Sequence, residues 1–315
     1  VKNARLLTEG AMLLAVFAVL LLITIYVPLI GMIVNLFLAV PFIIFAAKND
    51  WKITIVFVIA SLFISMIVGS LTSLPLALAY GTTGAVIGYL IQKKKDRVMI
   101  LLVASLVFLV NIIGVYAVSV AFFKVDIIKQ MMDMMEESLT TSADLLKNLG
   151  QGAEADKTVA QYKKALSMIS TLIPTLFVIS SVVISYITQL VSFPIVKRFG
   201  IEVQKWKPFK DLSLPKSILW YLLITLTASL LLHPEQGTYL HATLLNLTYI
   251  LQFLMMFQGY TFLFYFFDLK GISKSVSVVL VIASFIIPIF LYIIGILGII
   301  DLGFDMRKKL GKNSL

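Results

Sequence analysis

Ser181, Ser185, Gln189 and Ser192 recur at i, i+4, i+8 and i+11, a spacing that lines three hydroxyls and one amide along a single face of an α-helix. Such groups hold an uncharged polar ligand by hydrogen bonding, without titrating or moving charge. Other neutral polar candidates stand in separate apolar stretches: Asn111 and Ser119 with Tyr116 nearby, and Asn35, Thr72, Ser73 and Tyr80. Each taken singly has a structural alternative, because Ser and Thr bond to their own helix carbonyls and Asn or Gln joins helices. As a convergent set they make the candidate binding site for a small molecule. On the segment 239–266, Thr248, Gln252 and Gly259 share a face beside Asn246 and Gln258, a second polar seam that reads as helix packing.

Catalytic chemistry has less to draw on. The chain has two histidines and no cysteine, which removes thiolate nucleophiles, thiolate metal sites and disulfides, and leaves His233 and His241 too few to hold zinc. Asp301 and Asp305 are four apart, so on a continuing helix their carboxylates share a face that suits Mg²⁺ and a phosphate. No second carboxylate cluster faces them, and pairing with Arg307 or Lys309 at the membrane surface is the simpler expectation. No G-x-x-x-x-G-K-[ST] loop is present. The expectation is therefore a protein that is no enzyme and carries neither cofactor nor metal.

These residues are set in a chain of 315 residues that is 60% hydrophobic and 13% charged, where a soluble domain is about half apolar and a quarter charged. Apolar runs of roughly twenty residues without period-two alternation predict membrane-crossing helices. The fold class is all-α, a polytopic transmembrane bundle of about eight or nine spans over 10–27, 30–47, 53–70, 74–91, 98–122, 167–196, 217–232, 239–266 and 276–300. No Asp, Glu, Lys or Arg stands at the centre of a run, which argues against proton coupling and voltage sensing, since both place charge at membrane depth. The formal charge of +10 gathers in short loops (Lys2 and Arg5; Lys48 and Lys52; Lys93 to Lys95 with Arg97; Lys197, Arg198, Lys205, Lys207, Lys210 and Lys216). It reads as an orientation signal for a multi-pass protein of the cell membrane with a cytoplasmic N-terminus, and not as a nucleic-acid surface. No small-residue cleavage site follows the first run, which is therefore kept as a span. Nine crossings would leave Arg307, Lys308, Lys309 and Lys312 outside, so either the tail is an exception or a late segment fails to cross, with 217–232 the shortest.

Between the fifth and sixth spans, Ile128, Met131, Met135 and Leu139 recur at helical spacing among Asp133, Glu136 and Glu137. Gly150 and Gly152 break that helix, and a second begins near Ala153 and runs into the sixth span with a kink at Pro174. The result is an external helical hairpin over 124–165, either a cap on the outer face or a spacer on the lipid. In 199–216, Trp206 and Phe209 interleave with Lys205, Lys207 and Lys210, which suits a linker lying on anionic lipid. The organisation is a six-span bundle over 1–198, this linker, and a C-terminal block of two or three spans over 217–315.

Ala11, Ala15 and Ala18 form a small-residue stripe on the first span with Gly10 beside it, and Gly81, Gly84, Ala85 and Gly88 form another on the fourth. Small faces let helices approach closely in lipid; the second reads as internal packing, and the first either as a docking face or as the alanine common in transmembrane helices. Lys2 and Arg5 before the Ala11-x-x-x-Ala15 helix, six spans, and a long outer segment before the sixth resemble the substrate-binding component of energy-coupling-factor transporters over 1–198. The whole chain more closely resembles the YybS-like family of uncharacterised multipass bacterial membrane proteins. The first resemblance implies that the Ala face docks a transmembrane coupling subunit joined to ATPases. It also implies that the outer helix ends bind a vitamin-like small molecule. Residues after Arg198 add apolar segments that the six-helix component lacks. The alternative is a scaffold or accessory subunit that positions another membrane enzyme through the basic linker.

Overall fold

In the computed structural model, which describes residues 2–148 and 152–312, every regular element among the described residues is helical. Helix α1 (Lys2–Tyr26) leads to α2 (Pro28–Val34) and α3 (Val40–Lys48), followed by α4 (Trp51–Gly69), α5 (Leu74–Gln92) and α6 (Arg97–Phe123). The second expected span is not one continuous α-helix. A 3-10 turn at Asn35–Phe37 interrupts it, and Pro41, which lacks an N–H, stands in the first turn of α3, where a helix needs none. The amphipathic α7 (Ile127–Asn148) and α8 (Gly152–Thr171) follow, with Lys147 paired to Asp156 at 2.8 Å. Gly150 lies outside the described residues. Leu172 ends α8, and α9 (Ile173–Arg198) begins with Pro174 in its first turn. Then come α10 (Ser217–Leu232), α11 (Tyr239–Leu269), α12 (Lys274–Ile286), α13 (Pro288–Phe304) and α14 (Met306–Lys312). Seven helical segments among the described residues have the length and hydropathy to cross a membrane, with Pro28–Lys48 taken as one, and α10, α12 and α13 are shorter apolar helices.

The chain forms two compact units, one of residues up to Ser138 with Leu176–Lys205, the other of Leu139–Thr175 with the chain from Trp206 onward. In the first, α1 buries Gly10, Leu13, Phe17 and Leu21, a seam at helical spacing. Phe17 meets Phe42 edge-on at 5.0 Å, Phe42 meets Phe57 at 5.4 Å, and Phe45 stacks on Phe57 at 4.1 Å. The small face of α5 is used inside this unit: a Cβ at Gly84 would stand 2.7 Å from the Ala39 carbonyl, so only glycine lets α3 and α5 approach so closely.

In the second unit the run 276–300, expected as one span, is two helices. Ile287 is extended and Pro288 opens α13, because proline cannot donate to the preceding turn and disfavours helix at the residue before it. At 1.5 Å per residue, α12 and α13 measure about 20 and 26 Å, short of a hydrocarbon core of about 30 Å. Contacts fix their directions. Helix α12 starts just past the C-terminal end of α11 and runs back along it, so that Tyr260 and Ser284 share a 2.6 Å hydrogen bond. Helix α13 then returns: the Tyr265 hydroxyl donates to the Arg307 carbonyl at 3.2 Å, and Gly303 lies against Leu219 near the start of α10. Both ends of the α12–α13 pair therefore lie at one end of α11, with the tip at Ile287–Pro288 and Phe285, Ile286 and Ile289 exposed around it. The late segment that turns back is therefore 276–300, while 217–232 is one short apolar helix. Glycine makes the return possible, since a Cβ at Gly259 would collide with the Ile294 carbonyl and one at Gly298 with that of Met255.

Candidate functional site

Helix α9 is apolar enough to cross a membrane, and its polar face is enclosed. Ser181 donates to the Val178 carbonyl at 2.7 Å, the local solution open to any helical serine. Ser185, Gln189 and Ser192 differ. Each is fully buried, and neither end of the Gln189 amide nor the hydroxyl of Ser185 or Ser192 has a hydrogen-bond partner. A buried polar group without a partner costs about 1–3 kcal/mol, so repeating it over two helical turns is no economical way to pack a core. Pro194 also interrupts α9, removing the helical donor to the Leu190 carbonyl beside Gln189. This face offers donors and acceptors of both kinds and no charge.

The other candidates divide. The Asn35 amide donates to the Tyr80 hydroxyl at 3.0 Å, while the Asn35 carbonyl oxygen and the hydroxyl of Thr83, one turn beyond Tyr80 on α5, are buried and unpartnered. Asn111 donates to Thr82 at 2.9 Å and to the Val107 carbonyl at 2.7 Å, which joins α6 to α5. Thr72 donates to the Gly69 carbonyl at 3.0 Å, and Ser73 to the carbonyls of Ser65 at 2.6 Å and Ser70 at 2.8 Å, so these two brace the α4–α5 corner. Tyr116 donates to Asp126 at 3.2 Å, and the Ser119 carbonyl accepts from Val125 at 3.0 Å, closing the end of α6. Ala11 and Ala15 are exposed and Ala18 half-buried, on the face of α1 away from its packed seam.

The carboxylate pair of the C-terminal block is divided between two cations. Helix α13 ends at Phe304 and Asp305 adopts a left-handed conformation (φ 51°), so Asp301 and Asp305 do not share a helical face as a metal pair would need. Asp305 pairs with Lys216, which holds its carboxyl below the usual range. Asp301 is buried and accepts from Arg307 Nε at 2.8 Å and Gln258 Nε2 at 2.6 Å. The rest of the guanidinium reaches the Thr261 hydroxyl at 2.7 Å and the carbonyls of Lys210 at 2.7 Å and Leu212 at 2.9 Å, while Gln258 Oε1 accepts from the Leu214 N–H at 2.8 Å. Lys210 pairs with Asp268, which raises the ammonium above its ordinary value. The pairing of Asp301 with Arg307 follows from their nearness in sequence; the part played by Gln258 and the linker does not. Likewise Asn246, filled by Thr175 and by the Thr171 and Ala242 carbonyls, is a packing residue.

Residues 15–302 match the family described as predicted membrane protein (DUF2232). The chain belongs to this family. It is 31% identical over 309 residues to the uncharacterized protein YybS of Bacillus subtilis (strain 168), covering 98% of this chain and 99% of that relative. No solved structure matches. The DUF2232 match runs through α10 to α13, so the C-terminal helices belong to the family as much as the first six spans do. Neither comparison names an energy-coupling-factor component.

Proposed function

We propose that this integral membrane protein is the recognition subunit of a membrane transport assembly, binding a small uncharged metabolite and relying on partner ATPases for energy. The observation that carries the reading is the buried, unpartnered amide of Gln189 between Ser185 and Ser192. A ligand bearing hydroxyl, amide or carbonyl groups would meet those atoms with the hydrogen bonds they lack. The face itself carries no charge, which fits a cargo that moves without protons; Arg97 of α6 stands over the ring of Phe193, next to Ser192, at 4.3 Å. The exposed Ala11 and Ala15 give α1 a face on which a coupling subunit's helix would dock.

Small-molecule mass spectrometry after gentle purification tests this directly. One retained polar metabolite is expected in the wild type, and its loss in Gln189→Leu with the fold intact; no retained molecule in the wild type would end the assignment. Replacing Ala11 and Ala15 by Trp should abolish co-purification of the partner. A scaffold role is the second reading, favoured by the family match over the C-terminal helices. It predicts a membrane enzyme captured by a protein that retains no metabolite.

Within the second unit, the turn-back of α12–α13 leaves Arg307, Lys308 and Lys309 at the same end as Lys210 and Lys216, and we place that end in the cytoplasm because short basic flanks stay there. The chain has no native Cys to interfere with labelling. Single cysteines at Lys309 and Lys207 should react with an impermeant maleimide from the same side, and opposite labelling would refute the hairpin.

A further inference from the structure

A cavity of about 580 Å³ opens in the first unit where α5 turns into α6 and the chain leaves α9. Its size lies in the range of small-ligand sites, about 300–1,000 Å³. Ile91, Ile100, Ile201 and Val203 give it an apolar part, and Lys94, Lys95 and Lys197 line it with cationic groups, opposed by Glu202. Gln204 Nε2 donates to the Lys94 carbonyl at 2.8 Å and fixes one wall to the other. Among the described residues none of the three ammoniums forms an ion pair.

Lysines at helix C-termini can simply answer the helix dipole, and Lys94 adds a backbone detail that it shares with Lys124 at the end of α6 (φ 52°), though only Lys94 of the two lines this cavity. Helices α5 and α9 end in the same way. After α9, Gly200 donates to the Lys197 carbonyl and Ile201 to that of Val196; after α5, Lys94 donates to Ile91 and Lys95 to Leu90. The residue between helix and exit is left-handed in both, with φ 75° at Gly200 and 53° at Lys94. Glycine fits that position without steric cost, and a lysine does not. A side chain kept at a strained position that also lines a cavity points to use of the side chain.

We infer that this cavity is a binding site for the phosphate-bearing headgroup of an anionic membrane lipid, with Lys94, Lys95 and Lys197 around the phosphate and the isoleucines beside the glycerol and upper acyl chain. Three lysines against one glutamate leave an excess of positive charge for a phosphodiester. The apolar part favours a lipid over a free anion. The setting, at the ends of apolar helices, is where acyl chains meet headgroups.

The test uses the full chain in nanodiscs of phosphatidylcholine with increasing phosphatidylglycerol, reading lipid retained by native mass spectrometry and thermal stability in parallel. The wild type should retain phosphatidylglycerol selectively. Lys94→Gly and Lys197→Gln should each weaken that retention about fivefold, and Glu202→Gln should strengthen it. Lys94→Gly should leave thermal stability unchanged or higher in phosphatidylcholine, which a structural lysine would not allow. Equal retention of phosphatidylglycerol by the wild type and the Lys94→Gly, Lys197→Gln double variant would overturn the site. Displacement of the lipid by inorganic phosphate or glycerol 3-phosphate alone would overturn the lipid assignment in favour of a soluble anion.

Discussion

The polar face of α9 and the Asp301 cluster are both largely enclosed and oppositely satisfied. Around Asp301, carboxylate, guanidinium and amide are cross-linked to one another, to Thr261 and to the backbone of 210–214. Around Gln189, an amide and two hydroxyls have no hydrogen-bond partner. Burial alone therefore says little about purpose. A network whose donors and acceptors are matched holds chain segments together, whereas an unmatched set has recognition capacity left over. The charged cluster, which resembles chemistry, reads as a clamp holding the linker against α11 and the C-terminal end of α13. The neutral face is the one on which the proposed function rests.

The largest expected effect tests the clamp. Arg307→Leu leaves a buried carboxylate beside Gln258 and should cost the second unit about 3–5 kcal/mol, measured by denaturation in detergent. The Asp301→Asn, Arg307→Leu double variant should recover part of that loss, because the uncompensated charge is gone; no recovery would mean the cluster is more than a structural lock. Gln189→Leu should do the reverse, leaving stability unchanged or higher by about 1–3 kcal/mol while abolishing ligand retention. A marked loss of stability there would make the two regions alike and remove the site.

The smallest effect concerns pH. Asp305 lies below its ordinary value through Lys216, so its contribution is present above the unfolded-state value and is lost only as pH falls through the lower folded value. Lys210 lies above its ordinary value through Asp268, so its contribution is present below the unfolded-state value and is lost only as pH rises through the higher folded one. Protease protection of 205–216 should therefore be flat from about pH 5 to pH 9, and because both pairs are partly exposed the loss outside that window should be modest. Release of the linker near neutral pH would show that another titrating group governs it.

What could be read from the chain was whatever repeats along it at short range. Helical periodicity placed Ile128, Met131 and Met135 on one face of α7, and the i, i+4, i+8, i+11 spacing placed Ser185, Gln189 and Ser192 together on α9. The break at Pro288 was equally local and was missed, because the apolar run continues through it and hydropathy does not register a lost N–H. Residues such as Thr72, Ser73 and Asn111 looked like binding groups because sequence shows a polar side chain and hides the carbonyl that satisfies it.

The amino-acid sequence by itself determined that this is an all-helical membrane protein with uncharged spans and basic flanks, because hydrophobicity and charge act on each segment independently of the others. Only the tertiary structure decided that 276–300 folds back and that Gln258 and the linker complete the Asp301 pair. It also decided that Lys94, Lys95 and Lys197 share one cavity while Gln189 meets no partner. The contacts behind the fold-back, the Asp301 cluster and the lysine cavity join residues from 24 to 110 positions apart, and hydrogen bonds, with their strict distance and direction, register that placement where hydropathy cannot.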